Sequence, residues 1–373
     1  MVTIKQVSNK KEMKEFVKFP LRLYKGVDEF VPPLFADELK LFGKSNPYND
    51  IAETVFFLAY QDNKIVGRIS GIIQHQYNEK HNEKRARFTR FDSINDFEVA
   101  KALFDAVIDW AKQKEMDTIC GPLDYNDLGR EGLLIEGFDQ LSTFEEQYNY
   151  PYYMDLIEQM GFVKDVDWLE FKLSYPGKDN DTLAKVSKKI LDMNKLHIVD
   201  SSKYSKKAYI NKYRHSFFYC LDECYKHLYG TVPIDEESQK SLVKQFMQII
   251  NKKYLIFIAD ENEKVVAFAL SFPSISRPFQ KSGGRLTIPA LFRLLKAVRH
   301  PSVIDLGLIG VLPEYQAKGI NAAILQIMMD CLKAIDHAET NLNLETNHQV
   351  MNQWRYFSHV NHKRRRSYVR EIK

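Results

Sequence analysis

Two stretches of the chain repeat one alternation of apolar and turn-forming positions. Residues 55–73, VFFLAYQDNKIVGRISGII, set β-branched and aromatic runs on either side of an Asp-Asn-Lys centre. Residues 254–272, YLIFIADENEKVVAFALSF, repeat the scheme around an acidic turn with Asn. Both predict β-hairpins. Their offset, about 200 residues, points to duplication of a whole domain rather than to a short solenoid repeat.

The elements after each hairpin keep the same order. The first hairpin leads to a strand at 86–94, a helix at 96–115 and a strand at 117–123, the helix carrying Val99, Leu103, Ala106, Val107 and Trp110 on one face. The second leads to a strand at 302–312, a helix at 319–334 and a strand at 339–345. That helix aligns Ile320, Ala323, Ile324, Ile327, Met328 and Cys331. Helical patterns precede each hairpin, at 9–26 and 32–42 and again at 205–228 and 235–251, and each half closes with a short helix and a final strand. The expected fold class is therefore α/β with a mixed sheet flanked by helices, used twice. Pro, Gly and Asp cluster in YPGKDNDT, 175–182, which sets a first domain at 1–175 and a second at 182–373. The second half also carries an insertion at 274–301. Its later part is a basic amphipathic helix, with Leu291, Leu294, Leu295 and Val298 apolar beside Arg293, Lys296 and Arg299. It reads either as a helix packed over the sheet with its charges solvated or as a membrane-surface element.

A chain of 373 residues is long enough for two cores, and 45% hydrophobic with 27% charged residues is a globular composition. A net charge of +4 is too small at this length to mark a nucleic-acid binder. The start lacks the apolar segment of a secretory signal, and no run of about eighteen apolar residues predicts a spanning helix. Four scattered cysteines do not make a disulfide framework, which fits a reducing cytoplasm. Cys220 and Cys224, one helical turn apart near His215 and His227, suggest either zinc or core packing. Without a second ligand pair at finger-like spacing, packing is favoured.

The chemistry gathers in VLPEYQAKGINAAILQ, 311–326. A strand ends near Leu312, a turn passes through Pro313, and a helix begins near Gly319. A helix start leaves about four backbone amides unpaired with partial positive charge, so the turn is suited to wrapping an anion. Gly319 permits close backbone approach, Lys318 adds a mobile charge, and the Gln316 amide can order the turn. At the corresponding turn of the first half, FDSINDFEVAKALF, no glycine occurs. Asp92, Asp96 and Glu98 surround the helix start, which suits the helix and repels an anion.

In this setting Val311, Pro313, Tyr315, Gln316 and Gly319 resemble the acyl-CoA-binding motif of the GNAT superfamily of N-acyltransferases: strand, V-x-P-x-(Y/H)-(Q/R)-x-x-G-x-(G/A), helix. Asn321 stands where the family has Gly or Ala. The doubled order of elements resembles two GNAT-like domains in tandem, so the resemblance spans most of the chain. EGLLIEGFD, 131–139, together with Asn149, Pro151, Tyr152 and Tyr153 of NYPYY, resembles a less-studied GNAT-like group that includes bacterial ceramide synthases.

The resemblance implies acyl-CoA, of acetyl or longer chain, as co-substrate, with no metal. Its contacts would be Ile309, Gly310 and Val311 on the strand, Gln316, Ala317, Lys318, Gly319, Ile320, Asn321 and Ala322 in the turn, and Asn347. Backbone amides between Ile309 and Val311 would hold the developing oxyanion. Glu345 is the candidate general base, and Tyr356 the candidate acid for the departing thiolate, with core packing as its alternative. Asn149, Tyr152 and Tyr153 read either as a substrate-pocket lining or as aromatics packed in a long loop. The expected function is acyl transfer to an amine, either a small molecule or a long-chain lipid of sphingoid type. Acetylation of a small polar amine or peptide, and non-catalytic acyl-CoA or lipid binding, remain open. The basic end HKRRRSYVR, 362–370, reads as an edge strand or an anion-facing surface, without the aromatic platform of a nucleic-acid binder. The expected location is the cytoplasm, with peripheral contact at the inner membrane face as a further reading; oligomeric state is left open.

Overall fold

The computed structural model describes every residue except Pro233 and Lys373. The chain begins with β1 (Thr3–Gln6), α1 (Lys10–Leu23), α2 (Phe35–Lys40), β2 (Ala52–Gln61), β3 (Lys64–Gln74) and α3 (His75–His81). It continues with β4 (Arg85–Ser93), α4 (Phe97–Gln113), β5 (Thr118–Gly121), β6 (Leu133–Glu136), α5 (Tyr152–Gln159) and β7 (Val163–Ser174). Next come α6 (Asp181–Met193), β8 (His197–Ile198), α7 (Lys206–Tyr225), α8 (Glu236–Phe246), β9 (Leu255–Ala259), β10 (Val265–Pro273), α9 (Ser276–Ser282) and α10 (Ile288–Arg299). The last elements are β11 (Val303–Val311), α11 (Asn321–Leu332), β12 (His337–Thr340), β13 (Asn343–Leu344), α12 (His348–Met351) and β14 (Ser358–Glu371).

These elements form two compact units. Unit 1 holds residues 1–169, 276–291 and 362–373, and unit 2 holds 170–275 and 292–361. The sheet of unit 1 runs β1-β2-β3-β4-β5-β14, with β6 also on β14; that of unit 2 runs β8-β9-β10-β11-β12-β7. Each sheet is antiparallel apart from one parallel pair, β4 with β5 or β11 with β12. Each is the mixed sheet that the doubled pattern predicts. The elements that periodicity missed are β1, α3, β6, α6, β8 and α9; the strands among them are four residues or fewer and offer no period to read.

Local chemistry explains the repeated parts. The first hairpin turns through Asp62 and Asn63, both in the left-handed region at φ 50° and 61°, which suits a two-residue turn between right-twisted strands. In α4, Val99, Leu103, Phe104 and Val107 are fully buried with Phe88, Phe91 and Ile69 in one cluster. In unit 2, Tyr209, Tyr213 and Phe217 of α7 pack on Phe257, and Phe217 also meets Phe268 edge-on with centroids 4.9 Å apart. Helix α10 buries Ala290, Leu294 and Val298 but leaves Ile288, Leu291, Phe292 and Leu295 exposed.

In both units the parallel strands part early. β4 pairs with β5 only from Arg85 to Arg87, and β11 pairs with β12 only from Val303 to Leu306. Beyond those residues no strand among the described residues pairs with β4 or β11 on that side.

Unit 1 also encloses a charged network. Arg90 forks onto Glu38, at 2.9 and 3.1 Å, and onto Asp124, at 3.1 and 3.0 Å. Arg68 donates to Asp92 at 2.7 Å, and the Tyr24 hydroxyl donates to the other oxygen of Asp92. Burial raises the pKa of Glu38, but the Arg90 charge and its hydrogen bonds prevail and hold it at about 2. That value lies below the ordinary 4.5, so the stabilisation is complete above pH 4.5 and is lost as pH falls towards 2. Denaturant melts across this window should show a loss of up to about 3 kcal/mol that Glu38→Gln removes. An unchanged pH profile in the variant would contradict the assignment.

Candidate functional site

The open edge of β11 and the turn after it form one site in unit 2. On that edge the Ile309 amide donates to the Tyr225 hydroxyl at 3.3 Å, and this hydroxyl donates back to the Ile309 carbonyl at 3.2 Å. One residue pair further along, the Gln316 side chain donates to the Val311 carbonyl at 3.0 Å. The Cys224 sulfur faces the same segment, 3.0 Å from where a Cβ on Gly310 would stand. A hydrogen bond from Cys220, opposed by burial and aided by the Val311 amide, lowers the Cys224 pKa. Cys220 is buried, so this pair packs against the strand while His215 and His227 are exposed. No group of three or more metal-ligating side chains occurs among the described residues.

The turn itself is built as a donor surface. Residues 313–315 form one 3-10 turn, Ala317 and Gly319 take left-handed conformations at φ 61° and 77°, and α11 begins at Asn321. Ile320, at the cap position, supplies no side-chain bond. The Ala322 and Ala323 amides bond back to Gly319 and Ile320. Those of Ala317, Gly319, Ile320 and Asn321 have no partner among the described residues. Four amides therefore face out of one turn beside a helix N-terminus, an arrangement suited to phosphate oxygens. Lys318 rests its ammonium 4.6 Å above the Tyr315 ring, within reach of the same face. Gly319 needs its left-handed φ, and its missing side chain also leaves room for Ile190 of α6, whose Cδ1 lies 2.7 Å from the Cβ position.

The equivalent turn in unit 1 is closed. The Asp96 carboxylate caps α4 by accepting from the Glu98 and Val99 amides at 2.9 and 3.3 Å, whereas α11 has no side-chain cap, so a carboxylate of the chain itself already holds this helix start. The strand edge is filled as well. The Ser93 amide donates to the Tyr153 hydroxyl at 2.8 Å, and the Tyr152 hydroxyl donates to the Ser93 carbonyl at 2.7 Å. Counting from the strand starts, Ser93 corresponds to Val311. Tyr153 is fully buried and Asn149 is 1% exposed. Asn149 accepts from the Leu134 amide at 2.7 Å and donates to its carbonyl at 3.0 Å. Of the two readings of Asn149, Tyr152 and Tyr153, these bonds fit packing within the loop: their polar atoms hold backbone groups of Leu134 and Ser93.

The remaining candidates lie further along unit 2. Glu345 occupies the turn after β13 and is half-buried. Asn347 caps α12 by accepting from the Val350 amide at 3.3 Å. Tyr356 is half-buried beneath the Arg355 guanidinium, at 5.3 Å, with no hydrogen bond to the β11 edge among the described residues. Buried Trp354 donates to Asn343. Sequence reasoning missed Tyr225. The available signal was its place in the last turn of the helix that packs on β10 and β11, two elements before the hairpin.

No protein-family profile matches the chain. It is 27% identical over 376 residues to Protein YghO of Escherichia coli K12, covering 98% of this chain and 94% of that protein. It is 24% identical over 311 residues to a bacterial ceramide synthase of Caulobacter vibrioides, covering 82% and 79%. Among solved structures, a tandem GNAT protein from the clavulanic acid biosynthesis pathway aligns with 100% of this chain and 99% of that one, at a TM-score of 0.56 and 11% identity. The chain has the GNAT fold in its tandem form.

Replacing Asn149 by Ala should strand both backbone groups of Leu134 and lower stability by about 1–3 kcal/mol in urea melts. A change within 0.5 kcal/mol would mean that the asparagine does not hold this loop.

Proposed function

We propose that the chain is an acyl-CoA-dependent N-acyltransferase whose donor site is the β11 edge and the 316–322 turn of unit 2. The observation that carries this reading is the contrast between units: the turn before α11 has four amides without a partner among the described residues and no side-chain cap, whereas the start of α4 is capped by the Asp96 carboxylate. The pyrophosphate would lie on the amides of 317–321 with Lys318 beside it, and the thioester along Ile309 to Val311. An acyl carbonyl there would replace the Tyr225 hydroxyl as acceptor from the Ile309 amide. The amine nitrogen bonds to the carbonyl carbon, the oxyanion forms against the edge amides, and the C–S bond then breaks. Glu345 would take the proton from the amine, directly or through water, and a hydroxyl would return one to the thiolate. Tyr356 is the sequence candidate for that acid; Tyr225, already bonded at the edge, is the stronger one on geometry.

The acceptor that fits best is a long-chain amine of sphingoid type. Similarity to a ceramide synthase supports it. So does α10, whose exposed Ile288, Leu291, Phe292 and Leu295 lie beside Arg293, Lys296 and Arg299, a combination suited to an anionic bilayer surface. No helix among the described residues is long and apolar enough to cross a membrane.

Free-thiol release with acyl-CoAs of graded length against sphingoid bases, small polar amines and peptides tests the activity. Turnover with a long-chain amine is expected, and a preference for a polar amine would make this an acetyltransferase-type enzyme instead. Gly319→Glu should weaken CoA binding at least about tenfold, equivalent to ~1.4 kcal/mol. Glu345→Gln and Tyr225→Phe should each lower kcat about 10²–10⁴-fold. CoA binding without thiol release for any pair would leave a non-catalytic acyl-CoA-binding protein.

Vesicle flotation separates the membrane reading from the catalytic one. Phe292→Ser with Lys296→Ser should lower recovery on anionic vesicles several-fold while leaving turnover of a water-soluble amine intact. Equal recovery would show that α10 is not the docking face.

A further inference from the structure

Within unit 1 a cleft opens between α1, α2, β4 and the loop that follows β5. Pro20, Phe30, Pro33 and Tyr148 give it apolar and aromatic walls, and Arg68, Arg90, Arg130, Glu38 and Asp92 line its polar side.

A count of donors and acceptors shows what the cleft lacks. Both Glu38 oxygens accept from Arg90. One Asp92 oxygen accepts from Tyr24 and the other from Arg68. Asp124, behind Arg90, accepts from Arg90 at both oxygens and from the Tyr125 amide at one. The carboxylates are thus engaged by groups of the chain itself. Arg130 differs. It makes one hydrogen bond, from Nη2 to the Phe144 carbonyl at 3.1 Å. Among the described residues no carboxylate lies within 4 Å of it. Its other four N–H donors have no acceptor among the described residues, and the residue lines the cleft. Burial depresses its pKa, the sign of a cation removed from water, although a guanidinium stays charged. The second nitrogen of Arg68, Nη2, likewise has no partner among the described residues. Donors exceed acceptors around this cleft, and a planar guanidinium fork matches an oxyanion better than any neutral group.

We infer that the cleft of unit 1 binds a small molecule through a carboxylate or phosphate group, with Arg130 as its principal contact and the Phe30 and Tyr148 rings against its apolar part. This gives the unit with the closed donor turn a ligand of its own. The inference stands on unit 1 alone and does not depend on the acyl transfer proposed for unit 2.

Calorimetric titration of the full chain at constant ionic strength tests it, with acetate, octanoate, inorganic phosphate and glycerol phosphate as probes and octanol as the neutral control. Saturable binding of one oxyanion with Kd below about 1 mM, and no saturable heat from octanol, is expected. A carboxylate or a phosphate response identifies which anion the cleft takes. Arg130→Gln should weaken that binding at least tenfold, whereas Gly319→Glu, which alters only the donor turn, should leave it unchanged. If Arg130→Gln loses its cooperative melt, Arg130→Lys replaces it, with severalfold weaker binding expected because the fork is gone. The idea fails if no probe saturates, if the arginine variants bind as wild type does, or if Gly319→Glu removes the binding.

Discussion

The backbone groups left over where a central pair of parallel strands parts are the constraint around which each unit is organised. A strand edge inside a protein must satisfy its N–H and C=O groups somehow. β4 loses its partner after Arg87 and β11 after Leu306, and everything placed beside them is an answer to that demand. In unit 1 the answer is permanent. Tyr152, half-buried, and Tyr153, fully buried, bond to Ser93 with their rings in an aromatic cluster. In unit 2 it is provisional: one phenol, Tyr225, holds both groups of Ile309, and the last turn before α11 keeps its amides free.

That difference gives the duplication its meaning. Two copies of one fold do not need two donor sites. Once an Asp caps the helix in one copy, its first-turn amides are no longer available to an anion, and aromatic side chains can close the edge for stability. The charged network of unit 1 then becomes the copy's distinguishing chemistry, with Arg130 the one guanidinium in it that no carboxylate meets among the described residues.

Much of this could be read from the residues in order. The repeated hairpins, the amphipathic face of α4 and the strand-turn-helix of 303–332 appear with boundaries within about two residues, because local periodicity and turn chemistry carry them. The closed character of the first-half turn was equally legible, since Asp96 precedes its helix as an N-cap residue should. The role of NYPYY was not. An aromatic loop has no period, and whether its hydroxyls meet a ligand or a strand edge depends on what stands opposite. Which apolar residues of α10 are covered was not legible either, since Leu294 and Val298 are buried while Leu291 and Leu295 on the same apolar arc are exposed.

The sequence by itself determined the two repeats, the helix starts and the placement of an anion-ready turn in only one of them, because these follow from interactions between residues a few positions apart. Tertiary structure alone decided which backbone groups on the parted strands found partners. It also decided that Tyr225 reaches Ile309 across 84 positions, that β7 and β14 complete the sheets they do, and that Arg130 lines a cleft with no carboxylate at ion-pair distance among the described residues. These contacts join residues far apart in the chain, and no local pattern encodes which of the many possible long-range pairings has the lowest free energy.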